Sequence, residues 1–243
     1  MIVKFDNKKV LVTGGTRGIG KKIAEEFSKN GALVTITGTS KNKPEWCPEN
    51  INYEQLEIKE GLNWQERADD IVDKYDGFDI LINNAGINKV NKIFETNKED
   101  ISNILLTNLN APIYITSSVS KKMLEKKYGY IINIGSIFGV VSKEGRNPYS
   151  ASKAGLIGVT KTMAIDLGKY NILVNAVSPG FVDTELTRKV LGDEGMEEMK
   201  QKIPMNKLAT VDDISPIVLF LASEQNKYIT GQNIIADGGF TIE

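Results

Sequence analysis

The sequence predicts an α/β fold, a doubly wound parallel sheet with helices on both faces. Three observations predict it. Short β-branched runs alternate with longer amphipathic stretches, several of the runs are apolar at nearly every position, and a glycine-rich turn joins the first run to the first amphipathic stretch. Strands that are apolar throughout fit a sheet covered on both sides, and regular alternation with helical stretches is the pattern of parallel βαβ units. No repeat, low-complexity tract or linker interrupts the 243 residues, which are enough for a substantial core, so a single domain over 1–243 is expected.

The elements follow in order. KVLVTGG is the first strand and its exit turn, KKIAEEFSKNG the first helix and ALVTITGT the second strand. Between the second and third strands, SKNKPEWCPEN carries Pro44 and Pro48 where a full crossover helix is due. Proline inside a helix costs about 3 kcal/mol, so this helix is expected to be short or replaced by loop. FDILINNAG, YGYIINIGS and NILVNAVSPG read as the fourth, fifth and sixth strands, and GQNIIADGG as the last. Residues 184–206, TELTRKVLGDEGMEEMKQKIPM with its flanks, form a charged insertion beyond the C-terminal end of the sixth strand, the place for a substrate lid.

Composition removes several function classes. Lys plus Arg number 30 against 31 Asp plus Glu, so no global basic field attracts nucleic acid. With no histidine, a Ser-His-Asp triad, a Cys-His pair and a His-ligated zinc site are all excluded, and no metal is expected. The lone Cys47 between Trp46 and Pro48 reads as a structural loop residue, with a reactive thiol as the lesser alternative. The N-terminal run is short and flanked by charge, unlike a signal peptide, and no stretch reaches membrane-span length. A cytoplasmic protein without a membrane partner is expected.

Thr13-Gly14-Gly15-Thr16-Arg17-Gly18-Ile19-Gly20 follows the first strand and opens the first helix. Glycines there permit a tight turn and close backbone approach, so a pyrophosphate can rest on the helix N-terminal amides. A plain βα turn is the bland reading; a second strand about twenty residues on favours a dinucleotide. An acidic residue at the end of that strand would mark NAD, because it binds a ribose 2′-hydroxyl and repels a 2′-phosphate. The residues there are Gly38, Thr39 and Ser40, with Arg17 and Lys41 nearby, so NADP(H) is the expected cofactor.

Tyr149 and Lys153 stand four apart after Pro148, on one face of a helix start, and Ser136 ends the strand YIINIGS. Tyr-x-x-x-Lys alone occurs by chance, but the strand-end serine gives it context. A phenol with a pKa of about 10 is a poor proton carrier at neutral pH unless a neighbouring ammonium favours its phenolate. In a ketone reduction, Tyr149 would donate a proton to the developing alkoxide, Ser136 would hold the same oxygen, and Lys153 would tune the phenol.

With these residues placed, nearly the whole chain resembles the short-chain dehydrogenase/reductases, single-domain Rossmann-type enzymes. TGGTRGIG resembles the family's nucleotide turn, implying contacts from Gly14, Thr16, Arg17, Gly18, Ile19 and Gly20. Asn83-Asn84-Ala85-Gly86 resembles the motif after the fourth strand, implying Asn83, Ala85 and Gly86. Ser136, Tyr149 and Lys153 match the catalytic set, and Asn108 in LLTNLNAP matches its fourth member, understood to organise a water chain to the lysine. Its bland reading is a helix-kinking polar residue. SPGFVDT resembles the segment that closes over the nicotinamide, implying Pro179, Gly180, Val182 and Thr184 besides Tyr149 and Lys153. FLASEQNKYITGQNIIADGG resembles the region that packs subunits in family tetramers, so a homotetramer, or failing that a dimer, is implied. Glu57 departs from the Asp or Asn usual near the adenine.

Within the family the likeness is greatest to 3-oxoacyl-(acyl-carrier-protein) reductases, which implies an acyl-carrier-linked ketone. Positions that hold carrier-binding arginines at the active-site mouth in those enzymes are read here as Tyr130 and Tyr170, with Lys126, Lys127 and Lys169 nearby as replacement charge. A sugar, nucleotide-linked sugar or other small carbonyl is the alternative substrate, and Arg146 is either an anion contact or a solvated loop residue. A non-catalytic NADP(H)-binding regulator is the alternative of another class, which the Ser-Tyr-Lys-Asn set opposes.

Overall fold

Strand β1 (Lys9–Val12) is the centre from which the sheet is wound. The chain builds outward on one side through β2 (Leu33–Gly38) and β3 (Ile51–Gln55). It then returns to the other side of β1 with β4 (Ile80–Asn83), β5 (Gly129–Ile134), β6 (Ile172–Pro179) and β7 (Asn233–Ala236). The order is β3-β2-β1-β4-β5-β6-β7 and every pairing is parallel. This is a computed structural model describing residues 3–242; Met1, Ile2 and Glu243 of the predicted domain lie outside the described residues. The β1/β4 boundary is the topological switch point, where strand C-termini part and open α/β sheets bind ligands.

Alternate residues of each strand bury against opposite helix layers. Val10, Val12, Ile80 and Ile82 pack with Ile23, Phe27, Ile214 and Val218 of α1 (Gly18–Lys29) and α7 (Val211–Leu221). Leu11 and Leu81 pack with Ile71, Val119, Met123 and Leu167 of α2 (Trp64–Lys74), α4 (Ala111–Lys126) and α5 (Asn147–Gly168). The wholly apolar burial of β4 and β5 follows from this two-sided cover.

Residues 39–50 contain no helix, in keeping with Pro44 and Pro48. Side chains hold the loop instead. Lys43 donates to the carbonyls of Pro48 at 2.8 Å and Ile51 at 2.9 Å, and the Trp46 indole N–H donates to Thr16 O at 2.7 Å. Cys47 is buried beneath the loop, and burial pushes its thiol pKa up, away from the reactive range.

The predicted insertion forms α6 (Glu185–Gln201), capped by Thr184 and broken at Gly192, whose φ of 67° and ψ of 177° are not helical. Beyond the break, Met196, Met199 and Ile203 pack on Ile137, Phe138 and Phe181. A short helix, α3 (Lys98–Leu105), runs through a π turn at Leu106–Asn110 into α4.

Candidate active site

A cleft of about 560 Å³ lies across the C-terminal ends of the strands at the switch point, within the range of small-molecule sites. Gly14, Thr16, Arg17, Gly18 and Ile19 form its floor. Thr13 fixes that floor to the next strand: its hydroxyl accepts from Asn84 N at 3.0 Å and Ala85 N at 3.1 Å. Gly14 has φ +62°, and a Cβ there would stand 2.8 Å from Ala85 Cα, so only glycine lets the two turns meet. Gly180 is required for a similar reason, since its Cβ would lie 2.8 Å from Asp237 Cα. A cradle of bare backbone at a helix N-terminus, with room beyond it, fits a dinucleotide pyrophosphate.

At the β2 end, Thr37, Gly38, Thr39, Leu56, Glu57, Ile58 and Lys59 line the cleft. At the other end Ser136, Tyr149 and Lys153 converge with Gly135, Pro179, Gly180, Val182 and Thr184. Pro148 in the first turn of α5 starts the helix that brings Tyr149 and Lys153 to one face. Lys153 is 4% exposed and donates to Ile134 O at 2.8 Å, with Nζ 5.8 Å from the Tyr149 ring centroid. Burial lowers its pKa from 10.5 to about 8. Burial also raises the Tyr149 pKa; the facing Ser136 hydroxyl and the Arg146 guanidinium pull it the other way.

Asn108 sits inside the π turn, a deformation common at functional sites. Its carboxamide accepts from Ile87 N at 2.9 Å, donates to Ile87 O at 2.9 Å and donates to Ser152 Oγ at 3.2 Å. A Cβ on Gly86 would be 3.5 Å from Asn108 Oδ1 and 3.7 Å from Lys153 Nζ, which places both polar groups around one glycine.

The sequence profile described as Enoyl-(Acyl carrier protein) reductase, adh_short_C2, matches residues 14–241. The chain is a member of the short-chain dehydrogenase/reductase family. It is similar to 3-oxoacyl-(acyl-carrier-protein) reductase FabG of Aquifex aeolicus (strain VF5), 37% identical over 247 residues that cover 98% of this chain and 99% of that one. Among solved structures it is similar to ElxO with NADP bound, with TM-score 0.89, 33% identity, and 98% and 100% of the two chains covered. It is also similar to a gluconate 5-dehydrogenase from Burkholderia cenocepacia J2315 in complex with NADP and tartrate, with TM-score 0.92, 26% identity, and 99% and 97% covered. This dehydrogenase/reductase is thus an oxidoreductase, of a family that uses NAD(P) and has members solved with NADP bound.

Three predicted cofactor contacts stand off the cleft wall. Gly20 is buried, and a Cβ on it would lie 2.6 Å from Gly14 O, so it serves helix–strand packing. Ser40 is exposed; its carbonyl accepts from the Tyr53 hydroxyl. Asn83 points beneath the sheet, donating to Thr116 Oγ1 at 3.0 Å and Asn133 Oδ1 at 2.9 Å. Its neighbour Asn84 lines the cleft instead, because successive strand residues face opposite sides. Lys41 is also away from the wall, leaving Arg17 and Lys59 as the cations at its β2 end.

Tyr130 and Tyr170 correct a second expectation. Tyr130 is 7% exposed at the start of β5, paired with Ile80 and Leu173, and Tyr170 lies in the turn before β6. Both are at the N-terminal edge of the sheet, whereas the cleft is at the C-terminal edge of the same strands. The predicted lid does reach the wall, through Glu185, Leu186 and Thr187, whereas sequence reasoning missed Thr37, Ile87, Asn103 and Thr107. These four come from four segments, and their sequence carries no shared signal.

Proposed function

We propose that this dehydrogenase/reductase reduces a ketone with NADPH, with 3-oxoacyl groups on acyl carrier protein as its substrate. The observation that carries the chemistry is the convergence of Ser136, Tyr149 and Lys153 at one end of a cleft that fits a dinucleotide. The carrier-linked substrate is supported by the relatives named as 3-oxoacyl-(acyl-carrier-protein) reductases, 34–37% identical over nearly full length.

The cofactor supplies hydride at its nicotinamide when bound. NADP is favoured over NAD by the end of β2, where Thr39 lines the cleft with Arg17 across from it. Gly14, Thr16, Gly18, Ile19, Ala85, Gly86, Pro179, Gly180, Val182 and Thr184 would hold it. Ser136 Oγ holds the substrate carbonyl by hydrogen bond, and Tyr149 gives its phenolic proton to that oxygen as negative charge develops there. Lys153, buried and poised near pH 8, favours the phenolate left behind and passes a proton back toward it. Asn108 keeps the loop at Ile87 against the π turn and offers the family's route for water to the lysine.

The α6 insertion is proposed as the substrate lid, hinged at Gly192. A second reading, a small free carbonyl compound such as a sugar, is favoured by the burial of Tyr130 and by the distance of Lys126, Lys127 and Lys169 from the cleft within one subunit. NADPH oxidation with a 3-oxoacyl thioester on pantetheine and on acyl carrier protein tests both. Higher kcat/KM on the protein-bound form supports the carrier reading; activity on neither thioester overturns it and moves the search to small sugars and hydroxy ketones.

A further inference from the structure

Arg146 is buried and pairs with no carboxylate among the described residues. It is 5% exposed, and its Nε and Nη1 are shielded from solvent with no hydrogen-bond partner. A guanidinium does not shed its proton under ordinary conditions, so a full positive charge is buried there. Leaving a buried charge unpaired is costly. A fold that retains one implies that the charge is used, or is matched transiently.

Its surroundings say by what. Arg146 immediately precedes α5, and Tyr149 follows in the first turn. The guanidinium lies over Phe138, with Cζ 5.2 Å from the ring centroid, and the same ring meets Tyr149 edge-on at 6.4 Å. The nearest acidic residue in sequence, Glu144, pairs outward with Lys92 at 3.3 Å. Arg146 is not on the cleft wall. Other groups facing Tyr149 are Lys153 on the same helix, the Ser136 hydroxyl at the end of β5 and the apolar Phe138, Met196 and Met199. Glu185 at the start of α6 lines the same cleft. Within this set, Tyr149, which shares the Phe138 ring with Arg146, is the group that acquires negative charge during the proposed reaction.

We propose that Arg146 is a positioning residue whose fixed charge steadies the Tyr149 phenolate, a second cation beside Lys153. The inference rests on Tyr149 as the proton donor. When Tyr149 gives its phenolic proton to the substrate oxygen, the O–H bond breaks and the pair left on oxygen faces two cations, of which only Lys153 returns a proton. Arg146 exchanges none.

The test compares Arg146→Gln and Arg146→Lys in the full-length protein, with Arg146→Met, similar in bulk and uncharged, standing in if the glutamine variant does not fold. Two readouts are used: the pH profile of kcat/KM for alcohol oxidation, and ultraviolet titration of tyrosinate absorption in the cofactor-free protein, corrected with Tyr149→Phe. A cation favours the phenolate, so its removal raises the Tyr149 pKa and moves the acid limb of oxidation to higher pH. The expected move is about one pH unit in the glutamine or methionine variant, which is about 1.4 kcal/mol of charge interaction. Arg146→Lys should stay within a few tenths of wild type. Thermal stability of the uncharged variant should be unchanged or higher, since an unpaired buried charge is removed. A profile and tyrosinate titration that superimpose on wild type, whatever the overall rate, overturn the proposal. Because the titration needs no substrate, it separates failure of this inference from failure of the catalytic reading, which Tyr149→Phe turnover reports.

Discussion

Lys153 is buried and Tyr149 partly so, and burial acts against the charge each must carry. Tyr149→Phe removes the transferable proton while keeping the ring against Phe138, so turnover should fall by about 10²- to 10⁴-fold with the thermal midpoint nearly unchanged. NADPH-coupled rates and circular dichroism melts on the same sample check both halves. For Lys153 the linkage has a definite sign. Its folded pKa of about 8 lies below the usual 10.5, so below pH 8 both folded and unfolded chains are protonated and the folded chain bears the full burial cost. That cost is relieved as pH rises from about 8 to 10.5. Lys153→Met should therefore abolish turnover yet stabilise the protein by about 2 kcal/mol at neutral pH, after allowing for the lost bond to Ile134 O. Denaturant unfolding at pH 7 and pH 10 should show the gain shrinking at the higher pH. Thr39 stands where an acid would exclude a 2′-phosphate. Thr39→Asp should lower the NADPH-to-NADH ratio of kcat/KM at least tenfold, by charge repulsion.

At the scale of elements, the site depends on contacts between turns more than on any one helix. The β1–α1 turn is clasped by Thr13 from below, by Asn84, whose amide donates to Gly14 O at 2.9 Å, and by Trp46, which reaches across from the 39–50 loop. Gly20 lies beneath this junction, off the cleft wall. Gly20→Ala should push Asn84 and Gly14 apart, costing about 1–3 kcal/mol of stability and weakening NADPH binding without altering the chemistry of bound substrate. Titration of NADPH against intrinsic fluorescence, with single-turnover rates at saturating cofactor, separates these effects. The π turn plays the matching part on the other flank, since it aims the Asn108 carboxamide at the Ile87 backbone instead of the helix surface.

Across the whole molecule, the cleft and the basic turns at Lys126, Lys127 and Lys169 occupy opposite edges of one sheet. A carrier protein held by those lysines would sit at the sheet edge opposite the cleft of the same subunit, so that mode of docking favours delivery to a neighbouring copy. Large apolar side chains stand exposed near the C-terminus, with Tyr228 at 97% and Ile242 at 88%, and on α5 Ile165 at 79%. We expect a homotetramer of the 26.8 kDa chain by light scattering, and a monomer at assay concentrations would argue against the carrier reading together with the assembly.

The sequence by itself determined the strand order's building blocks, the nucleotide turn and the Ser136, Tyr149 and Lys153 set, because those features are local. Periodicity exposes two-sided burial, proline exposes the missing β2–β3 helix, and i,i+4 spacing exposes a shared helix face. Only the tertiary structure decided that Asn84 rather than Asn83 faces the cleft, that Gly20 is a packing residue, that Tyr130 belongs to the core and that Arg146 is buried beside Tyr149. Each of these depends on which side of a strand or turn meets which neighbour. That is set by packing between segments distant in sequence, and no local pattern encodes it.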